Sequence, residues 1–374
     1  MNTNRIFLAL FGIYLLGFMF HASLLHKTVY GDGIFYYSWV RSAIVDGDID
    51  FANEYKAFHT SQPIMPTGLP GNKYSIGASI LWYPWFLWMH TLIRKTGYES
   101  IYQYGIGVVS VLYACTGLVL LFRTLRKFYS ESISLASCVA IALGTNLLFY
   151  GSIDPVNSHA VSFFAASLFL AVLLEEQVRW FQVGCVLGLV ALIRTQDVLI
   201  GISAIPLIKP KYIPLYIAGV AYIFAPQLLV WQILNDSFWK SPYISSIEGF
   251  RFFDPHILGV LFSKTNGLFL WTPLTLLGIV GLLIKKTNSV FITFASICLM
   301  QILLVSVWSV WWQGASYSGR MFVGCLPLMA FGIAKFITFV QKKAMNLEQI
   351  LLSIVYPLCV INMILIVYFL LSTR

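Results

Sequence analysis

The sequence predicts an all-α polytopic membrane protein, and three observations support this fold class. Of its 374 residues, 59% are hydrophobic and only 10% are charged, whereas about 25% of the residues in soluble domains are charged. The mean hydropathy is +0.80. Apolar runs of about 20 residues recur along the chain, which is the length that crosses the hydrocarbon core of a bilayer as a helix. These properties exclude an ordinary soluble domain.

The net charge of +9 does not indicate nucleic-acid binding. Such binding needs a basic patch on a soluble face, whereas the cations here lie in short loops between apolar runs. The positive-inside rule of membrane proteins accounts for that pattern. The six cysteines lie in apolar runs without C-x-x-C spacing, so we expect neither disulfides nor a thiolate metal site.

The apolar runs predict a bundle of about eleven transmembrane helices. The first, at 6–25, has no small-residue cleavage site and is interpreted as an uncleaved anchor. The other ten are expected at 101–122, 133–150, 158–174, 181–193, 196–208, 212–234, 268–284, 290–310, 321–340 and 350–371. The pair around 194–197 is short enough for two half-depth helices. We expect one transmembrane domain over 1–374 and no soluble terminal domain.

Residues 26–100 are predicted to form the first outer loop, with juxtamembrane helices inside it. An aromatic segment at 76–93 is placed along the outer side of the membrane. If it crossed the membrane, Arg123, Arg126 and Lys127 would face outward, against the positive-inside rule. With this choice the N-terminus is cytoplasmic, most acids face outward, and the outer face becomes the candidate working face.

Asp32 is the leading candidate for chemistry. It lies in Tyr-Gly-Asp-Gly, before a short interfacial helix that carries Tyr36. The plain alternative is a helix cap, which Asp provides well. A carboxylate that is partly desolvated at a membrane surface would instead have a raised pKa and suit a general base. Glu54 in the same loop and Asp154 after the third span are the reserve bases.

Asp46, Asp48 and Asp50 form a D-x-D-like cluster in the first loop. Carboxylates at this spacing can bind a divalent cation such as Mg²⁺ or Mn²⁺. A Gly-Asp run is also typical of a turn. Both interpretations stay open, and no metal ligand is assigned.

Four cations at the outer edge could contact a phosphate: Lys73, Arg194, Lys264 and Arg320. Lys73 could equally extend to lipid headgroups. Arg194 lies between two apolar segments, so it needs either Asp197 or an anionic ligand. Arg320 suits bidentate phosphate contact. Aromatic and polar neighbours provide further candidates for substrate binding, although each tryptophan could simply belong to an interfacial belt: Tyr36, Tyr74, His159, Asn266 and Trp312.

The order of these elements resembles the GT-C superfamily of membrane glycosyltransferases, which includes protein O-mannosyltransferases and lipid A aminoarabinose transferases. The resemblance rests on Asp32 near the start of an acidic first loop, on Lys73 before an aromatic, proline-containing helix, and on Asp154 between two later spans. Two motifs add to it, Asp-Gly-Asp-Ile-Asp-Phe-Ala-Asn-Glu-Tyr at 46–55 and Trp-Trp-Gln-Gly-Ala-Ser-Tyr-Ser-Gly-Arg at 311–320.

The resemblance implies a sugar transfer, usually with inversion, from a polyprenyl-phosphate carrier to a glycan, lipid or protein acceptor at the outer face of a bacterial inner membrane. It implies that Asp32 is the base or orients the acceptor, that Lys73 contacts the carrier phosphate, and that Asp154 is a second loop acid. Two departures are that Asp32 belongs to no D-x-D or E-x-D pair and that we expect no C-terminal soluble domain. Metal dependence and the acceptor therefore stay open.

Two other function classes compete with a transferase. A transporter or flippase would need ionisable residues at mid-span and preferably an inverted repeat, and neither is apparent in the sequence. A non-glycosyl lipid-carrier ligase would use a large late outer loop with Arg and His. The loop at 235–266 contains Arg251 and His256, so this alternative stays open.

Overall fold

The computed structural model describes residues 3–239, 241–243, 248–284 and 289–372. Within these ranges the structure is helical and forms no β-strand, which confirms the all-α class. The α-helices are α1 Thr3–Leu25, α2 Asp32–Arg41, α3 Ala52–Ala57, α4 Gly77–Ile93, α5 Ser100–Leu125, α6 Glu131–Gly144, α7 Ser158–Leu173, α8 Trp180–Ile193, α9 Ile213–Asn235, α10 Ile257–Phe262, α11 Leu268–Trp271, α12 Leu274–Leu283, α13 Ser289–Ser306, α14 Leu326–Gln341, α15 Leu347–Ile350 and α16 Tyr356–Ser372.

Among the described residues, six helical segments are long and apolar enough to cross a membrane. They are Thr3–Leu25, Ser100–Leu125, Pro210–Asn235, Ser289–Ser306, Arg320–Gln341 and Leu347–Ser372. Four shorter apolar helices, α6, α7, α8 and α12, lie at other predicted spans. The chain is therefore a multi-pass membrane protein, as predicted, whereas the count of eleven helices is not confirmed.

Contacts between α1 and α5 show which loops lie at the same end of the bundle. Phe7 near the start of α1 packs on Phe122 near the end of α5, with ring centroids 5.3 Å apart. Phe18 near the end of α1 lies 5.9 Å from Tyr104 near the start of α5, so the two helices are antiparallel. We call the end that carries residues 26–99 the loop end, and the end that carries residues 126–130 the basic end.

The span predicted at 196–208 is not an α-helix but a 3₁₀ helix, Thr195–Ala204. A 3₁₀ helix rises about 2.0 Å per residue, so ten residues cover about 20 Å. Arg194, just before it, donates to Ser158 at the loop end, while Leu207, just after it, lies beside Leu173 at the basic end. The segment thus passes between the two ends in fewer residues than an α-helix would need.

The first loop folds back on the bundle through α2, α3 and α4. The helix predicted at 76–93 forms as α4, and Gly77 at its start lies so close to α8 that an added Cβ would be 2.4 Å from the backbone nitrogen of Ile193. Arg41 at the end of α2 binds Glu54 at 2.7 Å and also pairs with Asp46. This buried arginine holds the loop in shape.

Candidate active site

Asp32 is held at the first turn of α2 by two glycines. Gly31 has φ 53°, a left-handed conformation that glycine adopts without strain. An added Cβ on Gly33 would lie 2.3 Å from the carbonyl oxygen of Val156. Only glycine therefore lets the start of α2 approach the segment that follows Asp154. The helix dipole also favours a carboxylate at this position.

The carboxylate of Asp32 contacts Arg320, which is 288 positions away in the sequence. Its Oδ2 lies 2.6 Å from an Arg320 guanidinium nitrogen, and its Oδ1 accepts a hydrogen bond from the Tyr74 hydroxyl at 2.7 Å. Burial raises the pKa of Asp32, but Arg320 and Tyr74 outweigh that effect and leave the pKa below its usual value. Asp32 and Arg320 keep 31% and 25% of their side-chain surface exposed, so a substrate can reach both.

Tyr74 is fixed against α2 by both its ring and its backbone. The ring stacks on Phe35, with centroids 5.0 Å apart, and its carbonyl accepts from the Trp39 indole at 3.0 Å. Asn72 donates to the Phe35 carbonyl and accepts from the Tyr74 amide. These contacts aim the Tyr74 hydroxyl at Asp32.

Arg320 is positioned by residues that follow α6. Asn146 donates to the Gly319 carbonyl at 2.8 Å, and the Tyr150 hydroxyl donates to the Tyr317 carbonyl at 2.9 Å. These bonds dock the turn at 311–320 on the loop end of the bundle. A 3₁₀ helix, Arg320–Cys325, then leads directly into α14. The guanidinium group is therefore tied to the rigid bundle.

Asp154 is a second acidic residue near Asp32, and its pKa is shifted in the opposite direction. The Tyr30 hydroxyl lies next to its carboxyl group, and the charges of Asp32 and Arg320 both act on it. Burial raises the pKa of Asp154 to about 6, and the Asp32 charge adds to the rise while Tyr30, Arg320 and Asn157 oppose it. Two neighbouring carboxyl groups with pKa values shifted in opposite directions are a common arrangement for acid–base chemistry.

Arg194 provides a second cationic centre near the first. It donates to Ser158 at 3.0 Å and lies 3.5 Å from Asp197, which in turn accepts from Ser162 at 2.6 Å. The Tyr36 hydroxyl lies within electrostatic reach of both Arg194 and Asp32. Tyr36 therefore stands between the two centres.

Lys73 forms the third cationic centre. Its ammonium nitrogen lies 2.6 Å from Glu248 and 5.8 and 5.7 Å from the ring centroids of Tyr74 and Tyr243. Those two rings contact each other, with centroids 5.9 Å apart. The charge of Lys73 also acts on Asp32. The structure thus places three cations, Lys73, Arg194 and Arg320, around one tyrosine cluster. The cluster consists of Tyr36, Tyr74 and Tyr243.

Two residues predicted for the site lie apart from this group. Glu54 is 0% exposed and paired with Arg41, an arrangement typical of a structural ion pair, and its role as a reserve base stays a prediction. Lys264 is exposed, and its carbonyl accepts from the Trp271 indole. Among the described residues its ammonium group forms no ion pair with the Asp32 group.

Three further predicted residues, His159, Asn266 and Trp312, are either buried in local contacts or exposed at the surface. His159 is buried beneath Tyr150, with ring centroids 4.5 Å apart. Asn266 is buried and donates to the Trp312 carbonyl. Trp312 itself is exposed and is the second residue of the turn at 311–320. Their roles as substrate-binding residues stay predictions.

The acidic cluster of the first loop is bound up in local hydrogen bonds. Asp46 accepts from Asn53 at 2.6 Å, Asp48 accepts from Ser42 at 2.7 Å, and Asp50 accepts from the Ala52 amide at 3.1 Å. In the part of the chain that the structure describes, no group of three His, Cys, Asp or Glu side chains could hold a metal ion.

Sequence reasoning did not identify Tyr243, Glu248 or Ser158 as members of the group. Ser158 lies four positions after Asp154, but nothing in its spacing marked it as a partner of Arg194. Tyr243 and Glu248 belong to a loop that meets Lys73 only in the folded chain, 175 positions away in the case of Glu248. No sequence pattern reports such a contact.

The arrangement can hold an anion and take up a proton at the same place. Three cations converge, each engaged by a carboxylate that an incoming anion could replace: Arg320 by Asp32, Arg194 by Asp197 and Lys73 by Glu248. Asp154 provides a carboxyl group whose pKa is raised to about 6. Positive charge beside a base suits the departure of a phosphate and the deprotonation of an attacking hydroxyl group.

No protein-family model and no curated protein sequence matches the chain. Among solved structures, the chain is similar to ArnT from Cupriavidus metallidurans, crystallised in the apo state, with a TM-score of 0.58 and 10% sequence identity. The match covers 89% of this chain and 59% of ArnT, so the chain spans about three fifths of the length of that protein. This membrane protein therefore has a fold like that of ArnT, which is a lipid A aminoarabinose transferase of the GT-C superfamily.

Proposed function

We propose that this protein is an inverting glycosyltransferase that moves a sugar from a polyprenyl-phosphate carrier to an acceptor hydroxyl at the outer face of the membrane. The observation that supports it most directly is the contact between Asp32 and Arg320. An acid from the first loop meets a cation from the last third of the chain, at 2.6 Å, within an ArnT-like fold. The membrane bundle supplies lipid-facing surface for a polyprenyl tail without removing it from the bilayer.

The reaction breaks the bond between the anomeric carbon and the carrier phosphate. The acceptor oxygen attacks the anomeric carbon, its proton passes to a carboxylate, and the electron pair of the broken bond stays on the phosphate oxygen. Arg320, Arg194 and Lys73 are the cations that would stabilise this developing charge. In a site of reduced polarity such stabilisation is stronger than in water.

Of the two acids, Asp154 suits the base better than Asp32. A base works best when its pKa lies near the working pH, and Asp154 has a pKa of about 6. Asp32 has a lowered pKa and is engaged by Arg320 and Tyr74. We assign Asp32 to orienting the acceptor and Arg320, and Asp154 to accepting the proton.

The orientation of the site follows from the charges at the two ends of the bundle. Arg123, Arg126 and Lys127 lie at the basic end, and the positive-inside rule places such residues in the cytoplasm. This supports a cytoplasmic N-terminus and an outward-facing site in a bacterial inner membrane. The acceptor could be a glycan, a lipid or a protein.

The decisive experiment measures sugar transfer by the purified protein in nanodiscs from polyprenyl-phosphate-linked sugars. Asp32→Asn should lower turnover at least about a hundredfold, because it removes the carboxylate that orients the acceptor and Arg320 at the reacting centre. The matched control is Asp236→Asn. Asp236 is exposed and caps α9 in a left-handed conformation with φ 53°, which Asn also tolerates, so its turnover should equal that of the unmodified protein. Equal turnover in both variants would remove Asp32 from the mechanism.

Mass spectrometry of lipids that co-purify with the protein tests the donor class. A bound polyprenyl phosphate would support the transferase, whereas transport of a lipid-linked sugar without bond cleavage would support the flippase alternative.

A further inference from the structure

We infer that Glu248 competes with the lipid phosphate for Lys73 and thereby promotes release of the spent carrier. This inference rests on the proposed function, because it names the ligand at the same site. Its starting point is the 2.6 Å contact between the Lys73 ammonium nitrogen and Glu248 Oε1. Lys73 and Glu248 keep 30% and 26% of their side-chain surface exposed. This pair and the Asp32–Arg320 pair are both more exposed than the Arg194–Asp197 pair.

The loop that carries Glu248 is anchored to the segment that leads to Arg320. The Gly249 amide donates to the Ser309 hydroxyl at 3.0 Å, and the Ser309 amide donates back to the Gly249 carbonyl at 2.9 Å. The Arg251 amide donates to the Val307 carbonyl at 2.6 Å. Glu248 therefore reaches Lys73 from a fixed position beside the turn at 311–320.

Lys73 is oriented toward the site as well as toward Glu248. It packs over the rings of Tyr74 and Tyr243, and Tyr74 donates to Asp32. A phosphate beside Arg320 would thus lie within electrostatic reach of Lys73. The carboxylate of Glu248 occupies a position at which a phosphate oxygen would make the same charge-assisted contact.

The charge change of the reaction explains why a competitor is useful. The donor is a phosphodiester with one negative charge, whereas the spent carrier is a phosphomonoester with a charge between −1.5 and −2 near neutral pH. Cations that stabilise the leaving group therefore bind the product more tightly than the substrate. Product release limits turnover in many enzymes. A carboxylate ready to take back Lys73 reduces that excess affinity.

The test measures binding of farnesyl phosphate, a soluble phosphomonoester, to the full-length protein in phosphatidylcholine nanodiscs. Farnesol serves as the uncharged comparison ligand. Glu248→Gln should bind farnesyl phosphate about two- to fivefold more tightly than the unmodified protein, the range expected for loss of one partly exposed ion pair. Farnesol affinity should not change. Lys73→Gln should bind farnesyl phosphate more weakly, and adding Glu248→Gln to it should produce no gain.

A matched control separates competition from a general effect of losing an ion pair. Glu175→Gln breaks the 2.9 Å pair with Lys127 at the basic end and should leave the affinity for farnesyl phosphate unchanged. Unchanged or weaker binding by Glu248→Gln would overturn the inference. If the unmodified protein binds farnesol and farnesyl phosphate with equal affinity, the proposed function itself fails.

Discussion

Gly33→Ala tests whether the reacting geometry depends on the close approach of α2 to the segment after Asp154. A Cβ at this position would lie 2.3 Å from the Val156 carbonyl oxygen, whereas real Cβ atoms essentially never come within 3.0 Å of a heavy atom outside their own residue and its chain neighbours. The two backbones must therefore separate by at least about 0.7 Å. Asp32 precedes Gly33 directly, so it would move relative to Asp154 and Arg320.

A misplacement of about 1 Å can reduce an enzyme's rate by about a hundredfold. We therefore expect Gly33→Ala to reduce kcat/KM by about ten- to a hundredfold, and to lower the free energy of unfolding by about 1–3 kcal/mol as an overpacked site does. The assay is sugar transfer per folded protein in nanodiscs, with folding measured by thermal unfolding. The matched control is Gly12→Ala in α1, where an added Cβ meets nothing within 4 Å. Turnover of Gly33→Ala equal to that of Gly12→Ala would refute the reasoning.

Two further predictions follow from the pKa shifts and the helix packing. If Asp154 is the base, kcat/KM should fall about tenfold per pH unit below pH 6, because its pKa is raised to about 6 and the protonated form cannot accept a proton. In Asp154→Asn the residual rate should be low and lack this decline, and a decline that persisted near pH 6 would contradict the assignment. Gly332→Ala should lower the free energy of unfolding by at least about 1–3 kcal/mol, because its Cβ would lie 1.7 Å from the Gly278 carbonyl oxygen where α14 packs on α12. Thermal unfolding in detergent measures this, and stability equal to that of Gly12→Ala would show that the two helices tolerate separation.

The sequence was sufficient to predict most of the membrane helices and the loop that holds Asp32, because hydropathy and the positive-inside rule act on composition alone. The same rule placed Asp32, Asp154 and Arg320 on one face, and the structure brings their side chains together. Pairing between distant loops could not be predicted. Glu54 belongs to an acidic loop that looks solvated, yet it is buried on Arg41.

The 3₁₀ segment at Thr195–Ala204 also escaped prediction, and for a different physical reason. Its apolar residues are compatible with either type of helix. The choice depends on how much distance must be covered between Arg194 at the loop end and the basic end, and that distance is set by the neighbouring helices. Hydrophobic periodicity alone does not carry this information.

The helix α9 is exposed to lipid along most of its length and is hydrogen-bonded to the segment that carries Tyr74. Only 11% of the residues in its most apolar stretch are buried. Its Gln227 side chain nevertheless accepts a hydrogen bond at 3.0 Å from the amide of Ile76, two residues after Tyr74. A second tie joins Thr67 to the Leu234 carbonyl at 2.8 Å. A shift of α9 in its lipid surroundings would thus pull on the segment that carries Tyr74, so we expect the activity to respond to the lipid that surrounds this helix.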